Sequence, residues 1–157
     1  MYRNAYFYVQ QTIIESQCKI YNMKDSSSTN TSFFAPLLAL RKVLEGIEFY
    51  QSAFGATELQ RWSNPDGSVH VAEMAIGGAV FHLHEEVTRT REFSPETLGG
   101  VSAVIGLFTA DPGALAVRAI AAGAIEESPV QDYEYGYRQG TLRDPFGHLW
   151  VMQKKIP

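Results

Sequence analysis

The chain has 157 residues, 13 basic and 17 acidic side chains for a net charge of -4, and a hydrophobic share of 45%. That length fits one domain able to bury about two-thirds of its unfolded surface, and the mild acidity gives no electrostatic footprint for a nucleic-acid backbone or an anionic membrane surface. One cysteine, Cys18, cannot make a disulfide framework or a thiolate cluster, and no apolar run approaches the ~20 residues of a membrane span, so a cytoplasmic protein without nucleic-acid or membrane partners is expected.

Residues 1–22 carry Tyr2, Tyr6, Phe7, Tyr8 and the pair Ile13-Ile14, but no sustained period and no apolar core of a signal peptide. Lys24–Ser32, KDSSSTNTS, cannot bury enough surface to offset the entropy of ordering it. Residues 1–32 are therefore expected to be a flexible extension and linker that adds little to the core, with Met23 as the native start.

Phe33–Leu40 predicts a short apolar strand. Val43–Phe54 spaces Leu44, Ile47, Tyr50 and Phe54 at helical intervals, with Gly55 placed to end the helix. Leu59–Trp62, a turn at Asn64-Pro65-Asp66-Gly67, then Ser68–Ile76 and Ala79–Glu86 joined by Gly77-Gly78, predict three more strands as a meander. Val87–Gly100, VTRTREFSPETLGG, reads as an exposed linker.

The second half repeats the first. Val101–Phe108 predicts a strand, and Pro112–Ala122 a helix with Asp111 as cap, proline at its first position and Gly123 as its stop. Gly136–Gln153, GYRQGTLRDPFGHLWVMQ, reads as strand, turn and strand; Asp144-Pro145-Phe146-Gly147 is the turn, its aspartate able to accept from the backbone that follows. Ala53-x-Gly55-Ala56-x-Glu58 recurs 68 positions later as Ala121-x-Gly123-Ala124-x-Glu126. The expectation is one α+β domain over residues 33–153, built from two β-α-β-β-β modules, 33–86 and 101–153. Each module covers one sheet face with a helix, and the other faces form a curled mixed sheet around a cavity.

If Gly77-Gly78 is a two-residue hairpin, Ile76 faces Ala79, Met74 faces Phe81, Glu73 faces His82 and Val71 faces His84. Ala72, Met74, Ile76, Phe81 and Leu83 then seat the helix, while Val69, Val71, Glu73, Val80, His82, His84 and Glu86 lie opposite. Two imidazoles and two carboxylates on one strand face are the chemistry of an acid-base or divalent-metal site, with His82 and Glu73 as catalytic candidates and His82, His84 and Glu86 as the metal donors if one binds. The bland alternative is an inter-strand hydrogen bond from Glu73 to His82 on a solvated rim. His70, on the helix side, and His148, beside the turn, read as structural. Tyr133, Tyr135 and Tyr137 alternate on one face before Gly140, with Arg138 opposite. They suggest a stacking wall and a cation for an anionic ligand group, or equally an edge strand with ordinary exposed tyrosines. Trp62 is a further candidate for the cavity and Trp150 for the core.

The pattern Y-G-Y-R-Q-G…D-P-F-G-H-x-W over Tyr135–Trp150, with Gly46-Ile47-Glu48-Phe49-Tyr50…Ala53-Phe54-Gly55-Ala56 upstream, resembles the vicinal oxygen chelate superfamily of glyoxalase, bleomycin-resistance and extradiol dioxygenase proteins, most of all its PhnB-like branch. The resemblance implies the glyoxalase/bleomycin-resistance fold and a cavity for a small-molecule ligand; a homodimer is expected because a single pair of modules leaves open sheet edges and cavity mouths for a partner copy to cover. Metal-dependent members use four ligands, whose positions fall here on Ala35, His82, Val104 and Val151. Three of these cannot bind a cation. The chain is therefore expected to be a small-molecule-binding protein without the usual metal site and without a cofactor, His84, Trp62, Tyr135, Tyr137, Arg138, Val104 and Val151 lining the cavity. The alternative is a lyase, isomerase or dioxygenase-type enzyme with an atypical divalent-metal or acid-base site at His82, His84 and Glu73.

Overall fold

Alternating and helical apolar periods lay down two β-α-β-β-β units in residues 33–157, the part of the chain that the computed structural model describes. The expectations for residues 1–32 lie outside the described residues. The first unit runs β1 (Leu37–Leu40), α1 (Val43–Phe54), β2 (Thr57–Ser63), β3 (Val69–Ile76) and β4 (Ala79–Glu85). A helical turn α2 (Pro95–Leu98) precedes β5 (Val104–Phe108), α3 (Pro112–Ala121), β6 (Ile125–Tyr133), β7 (Tyr137–Arg143) and β8 (Leu149–Lys155). The sheets have the same order, β1-β4-β3-β2 and β5-β8-β7-β6. In each, the first strand is parallel to the last and the other pairs are antiparallel. This is the α+β architecture expected from the internal repeat.

The glycine hairpin behaves as its chemistry requires. Gly77 and Gly78 sit at φ 56° and 87°, the left-handed region that a two-residue primed turn demands at both positions. The register follows: Ile76 faces Ala79, Met74 faces Phe81, Glu73 faces His82 and Val71 faces His84. β1 starts at Leu37, later than the apolar run suggests, because Pro36 has no N–H for the ladder; its carbonyl accepts from His82 N at 2.9 Å. In α3, the Asp111 side chain accepts from Ala114 N at 3.0 Å.

Val87–Gly100 is not the simple linker its polarity suggests. Val87 bridges to Glu92, and Ser94 caps α2 by accepting from Thr97 N, with Pro95 at the first position and Gly99 ending the turn at φ 70°. A cap, a proline and a closing glycine were all present in SPETLG; the missing sign was an apolar face. Pro95 packs against the second hairpin turn, where a Cβ on Gly147 would come within 2.9 Å of its own Cβ.

The helix-bearing faces of the units meet in one core. α1 contributes Ile47, Tyr50, Ala53 and Phe54, α3 contributes Leu115, Ala116 and Ala119, and the sheets contribute Met74, Phe81, Leu83, Leu142, Trp150 and Met152. Tyr50 lies 5.5 Å from Phe81 and 5.6 Å from Trp150, ring centre to ring centre. At the centre is the buried carboxylate of Asp144. Its Oδ1 accepts from Phe146 N (3.0 Å) and His148 N (2.9 Å), and its Oδ2 from Tyr50 Oη (2.6 Å) and Trp150 Nε1 (2.9 Å). Burial and the adjacent carboxylate push the Tyr50 phenol well above its ordinary pKa.

Candidate functional site

β3 and β4 place Glu73 and His82 side by side on the sheet face away from α1. His82 Nε2 is 3.3 Å from Glu73 Oε2, with the residues 2% and 0% exposed. A strand period of two puts His84 on the same face, also buried. Its Nδ1 donates to the Glu85 carbonyl at 2.8 Å, which fixes that nitrogen as the protonated one and makes Nε2 the lone-pair nitrogen. Burial holds the His84 imidazole below its ordinary pKa, outweighing the Glu85 carbonyl and the carboxylate of Glu92. Glu92 Oε2 stands 3.8 Å from His84 Nδ1, brought there by the bridge between Val87 and Glu92. Sequence reading passed over Glu92 because nothing in a polar loop marks which carboxylate folds back.

On β2, the register sets Gln60 beside Glu73 and Trp62 beside Val71, so both share the Glu73–His82 face. Glu86 follows β4, and its Oε1 accepts from Ser94 N (2.9 Å), from Ser94 Oγ and from Thr97 Oγ1 (2.6 Å) at the start of α2. Among the described residues no group of three or more His, Cys, Asp and Glu side chains is placed to hold a metal ion. Of the four positions that the resemblance assigns to metal ligands, three carry the hydrocarbon side chains of Ala35, Val104 and Val151 and one the imidazole of His82.

The remaining histidines have structural partners. His70 Nδ1 meets Glu85 Oε2 at 3.0 Å, and Asn64 Nδ2 donates to the same oxygen at 2.8 Å. His148 Nε2 donates to Ala39 O at 3.1 Å, tying the second hairpin to β1, and burial keeps its pKa below the ordinary value.

Val104 and Val151 lie on the second sheet's face away from α3, on neighbouring strands β5 and β8. The tyrosines also belong to that sheet, but they do not alternate along one strand: β6 ends at Tyr133, β7 begins at Tyr137, and Gly136 at φ 84° turns the chain between them. Their rings gather around the turn instead, Tyr133 stacked on Tyr135 at 5.0 Å and Tyr135 tilted by 41° against Tyr137 at 6.3 Å. Arg138 points its guanidinium to Asp132, with Nε–Oδ1 at 2.5 Å and Nη2–Oδ2 at 2.8 Å, so its charge is already matched.

The family model described as Glyoxalase/Bleomycin resistance protein/Dioxygenase superfamily matches residues 37–152. The chain belongs to this superfamily. It is 34% identical over 125 residues to the uncharacterized protein Mb0911c of Mycobacterium bovis, covering 78% of this chain and 82% of that one. The crystal structure of TioX from Micromonospora sp. ML1 shares the fold at 24% identity and a TM-score of 0.63, covering 80% of this chain and all of that one. The Arabidopsis thaliana gene product At5g48480 does so at 28% identity and a TM-score of 0.62, again over 80% of this chain and all of the other. This superfamily member has no described helix long and apolar enough to cross a membrane.

Proposed function

We propose that this superfamily member is a small-molecule-binding protein of the PhnB-like branch, acting without the four-ligand metal site and as a homodimer. The observation that carries the reading is the Glu73–His82 pair, fully buried on a sheet face that the helices do not use. Burying an acid and an imidazole there costs several kcal/mol of desolvation that a pair of apolar residues would avoid, so the pair is better explained by a ligand than by stability. Trp62 and His84 on the same face supply a ring and a lone-pair nitrogen beside it. The homodimer rests on the open edges β1 and β5 and on exposed Leu37, Val104 and Phe108 along them.

A second reading, a lyase, isomerase or dioxygenase-type enzyme using proton transfer, is favoured by His84. Its fixed tautomer and burial-lowered pKa keep Nε2 a base at neutral pH. A thermal-shift screen of neutral and anionic aromatic metabolites against the wild type, His82→Ala and His70→Ala tests the leading reading. Ligand-induced stabilisation is expected to fall at least about tenfold in apparent affinity for His82→Ala and to persist for His70→Ala. Equal retention in both would refute it. A hit that is also chemically converted by wild type and not by His84→Gln would move the protein to the second reading.

A further inference from the structure

The second sheet carries a row of amides, beside the tyrosines already described, that the Glu73–His82 reading does not use. The registers align Gln131 with Gln139 and Gln139 with Gln153, so three primary amides run side by side across β6, β7 and β8. One step along the strands, Tyr133 aligns with Tyr137, and Tyr135 at the turn stacks on Tyr133 and tilts against Tyr137. Both rows lie on the face away from α3, because Leu142, Trp150 and Met152, of opposite parity, fill the core. Gln131 Nε2 donates to Tyr133 Oη at 3.0 Å, joining the two rows. Gln153 lies over β5 at Gly106, where a Cβ would come within 2.9 Å of its Nε2; the missing side chain makes room for the amide.

Arg138 is bound by Asp132 and Arg143 by Glu127 at 2.5 Å, so neither offers a counter-ion to a ligand; Lys155, aligned with Tyr137 and exposed, ends the tyrosine row. Amides carry both a donor and an acceptor, and exposed tyrosine rings offer a π face; Tyr135 is 61% exposed.

We infer that the Gln131–Gln139–Gln153 row and the Tyr133–Tyr135–Tyr137 stack form a binding site for an uncharged, planar heteroaromatic molecule that presents adjacent carbonyl and N–H groups. The rings stack on its face and the amides pair with its polar edge. The inference rests on the small-molecule reading, but on a different sheet from Glu73 and His82.

Riboflavin is a suitable probe, since its ring is neutral and planar, its edge alternates carbonyl and N–H, and stacking on tyrosine quenches its fluorescence. Titration of the full chain should give saturable quenching with a dissociation constant below ~1 mM. Tyr135→Ala and Gln139→Leu should each weaken it about tenfold, the loss expected for one stacking or hydrogen-bond contact. Gly106→Ala should weaken it without touching the core, and so serves if a circular dichroism spectrum shows Gln139→Leu misfolded. His82→Ala should leave the quenching unchanged. Absence of saturable quenching, quenching that survives both Gln139→Leu and Gly106→Ala, or equal binding of the planar anion 1-naphthoate would overturn the inference. Loss of quenching in folded His82→Ala would overturn it too, by placing the probe on the first sheet, whereas failure of the His82 screen alone leaves it standing.

Discussion

At the scale of single residues, a buried polar group is worth what its partners make of it. Sequence parity put Glu73 opposite His82. The observed pair has almost no exposure, so His82→Ala breaks a buried acid-imidazole pair and should cost about 3–5 kcal/mol. Binding tests must therefore compare folded protein only. His84 and His148 share a second consequence, since burial lowers both pKa values. The unfolded chain binds protons at these sites first, starting near the ordinary value of about 6.5, so the stability they allow is complete above that pH and is lost as pH falls through their folded-state values. Melting temperature should decline from about pH 6.5 downward, and His148→Gln should flatten that decline. An unchanged slope in the variant would remove His148 from the account.

At the scale of elements, α1 seats on β1 and β4 through Gly46. A Cβ there would lie 2.6 Å from Leu40 Cδ2 and 3.3 Å from Leu83 Cδ1, and both leucines are completely buried, so one of the three side chains must shift. Helix propensity alone favours alanine over glycine by about 1 kcal/mol, whereas overpacking a close-packed core costs about 1–3 kcal/mol. Gly46→Ala is accordingly expected to be net destabilising by up to about 2 kcal/mol in urea denaturation, and a gain in stability would show that α1 can shift on its sheet. The same close fit explains part of what the sequence revealed. The glycine-ended helix Val43–Phe54 and the meander after it were legible because period, cap and turn are local properties. The helical turn Pro95–Leu98 was not, because a four-residue element in a polar stretch has no period to display and is held by Glu86 on Ser94 and Thr97 and by Pro95 against Gly147.

For the molecule as a whole, the units are joined by contacts that no local pattern encodes. Tyr50 and Trp150 both donate to Asp144, Arg118 Nε donates to Ala53 O at 2.7 Å, and His148 reaches Ala39 O. The helix-bearing faces are thereby used up inside the chain, and the edge strands, β1 and β2 in one sheet and β5 and β6 in the other, each have a neighbour on one side only. Phe108, 67% exposed, and Val104, 55% exposed, lie along the β5 edge. Light scattering at micromolar concentration should give a dimer mass, and Val104→Glu with Phe108→Glu should return it to the monomer; a wild-type monomer would refute the assembly.

The sequence by itself determined the two-module α+β plan, the β3–β4 register and the aspartate-led turn, since each depends on residues close together in the chain. Tertiary structure alone decided which polar groups remain for a ligand. Glu86 is engaged by Ser94 and Arg138 by Asp132, while Glu92 came back onto His84 and the three glutamines fell into one row. Parity says which face a side chain occupies, but the partner that reaches it there comes from a distant strand or loop, and only packing fixes that distance.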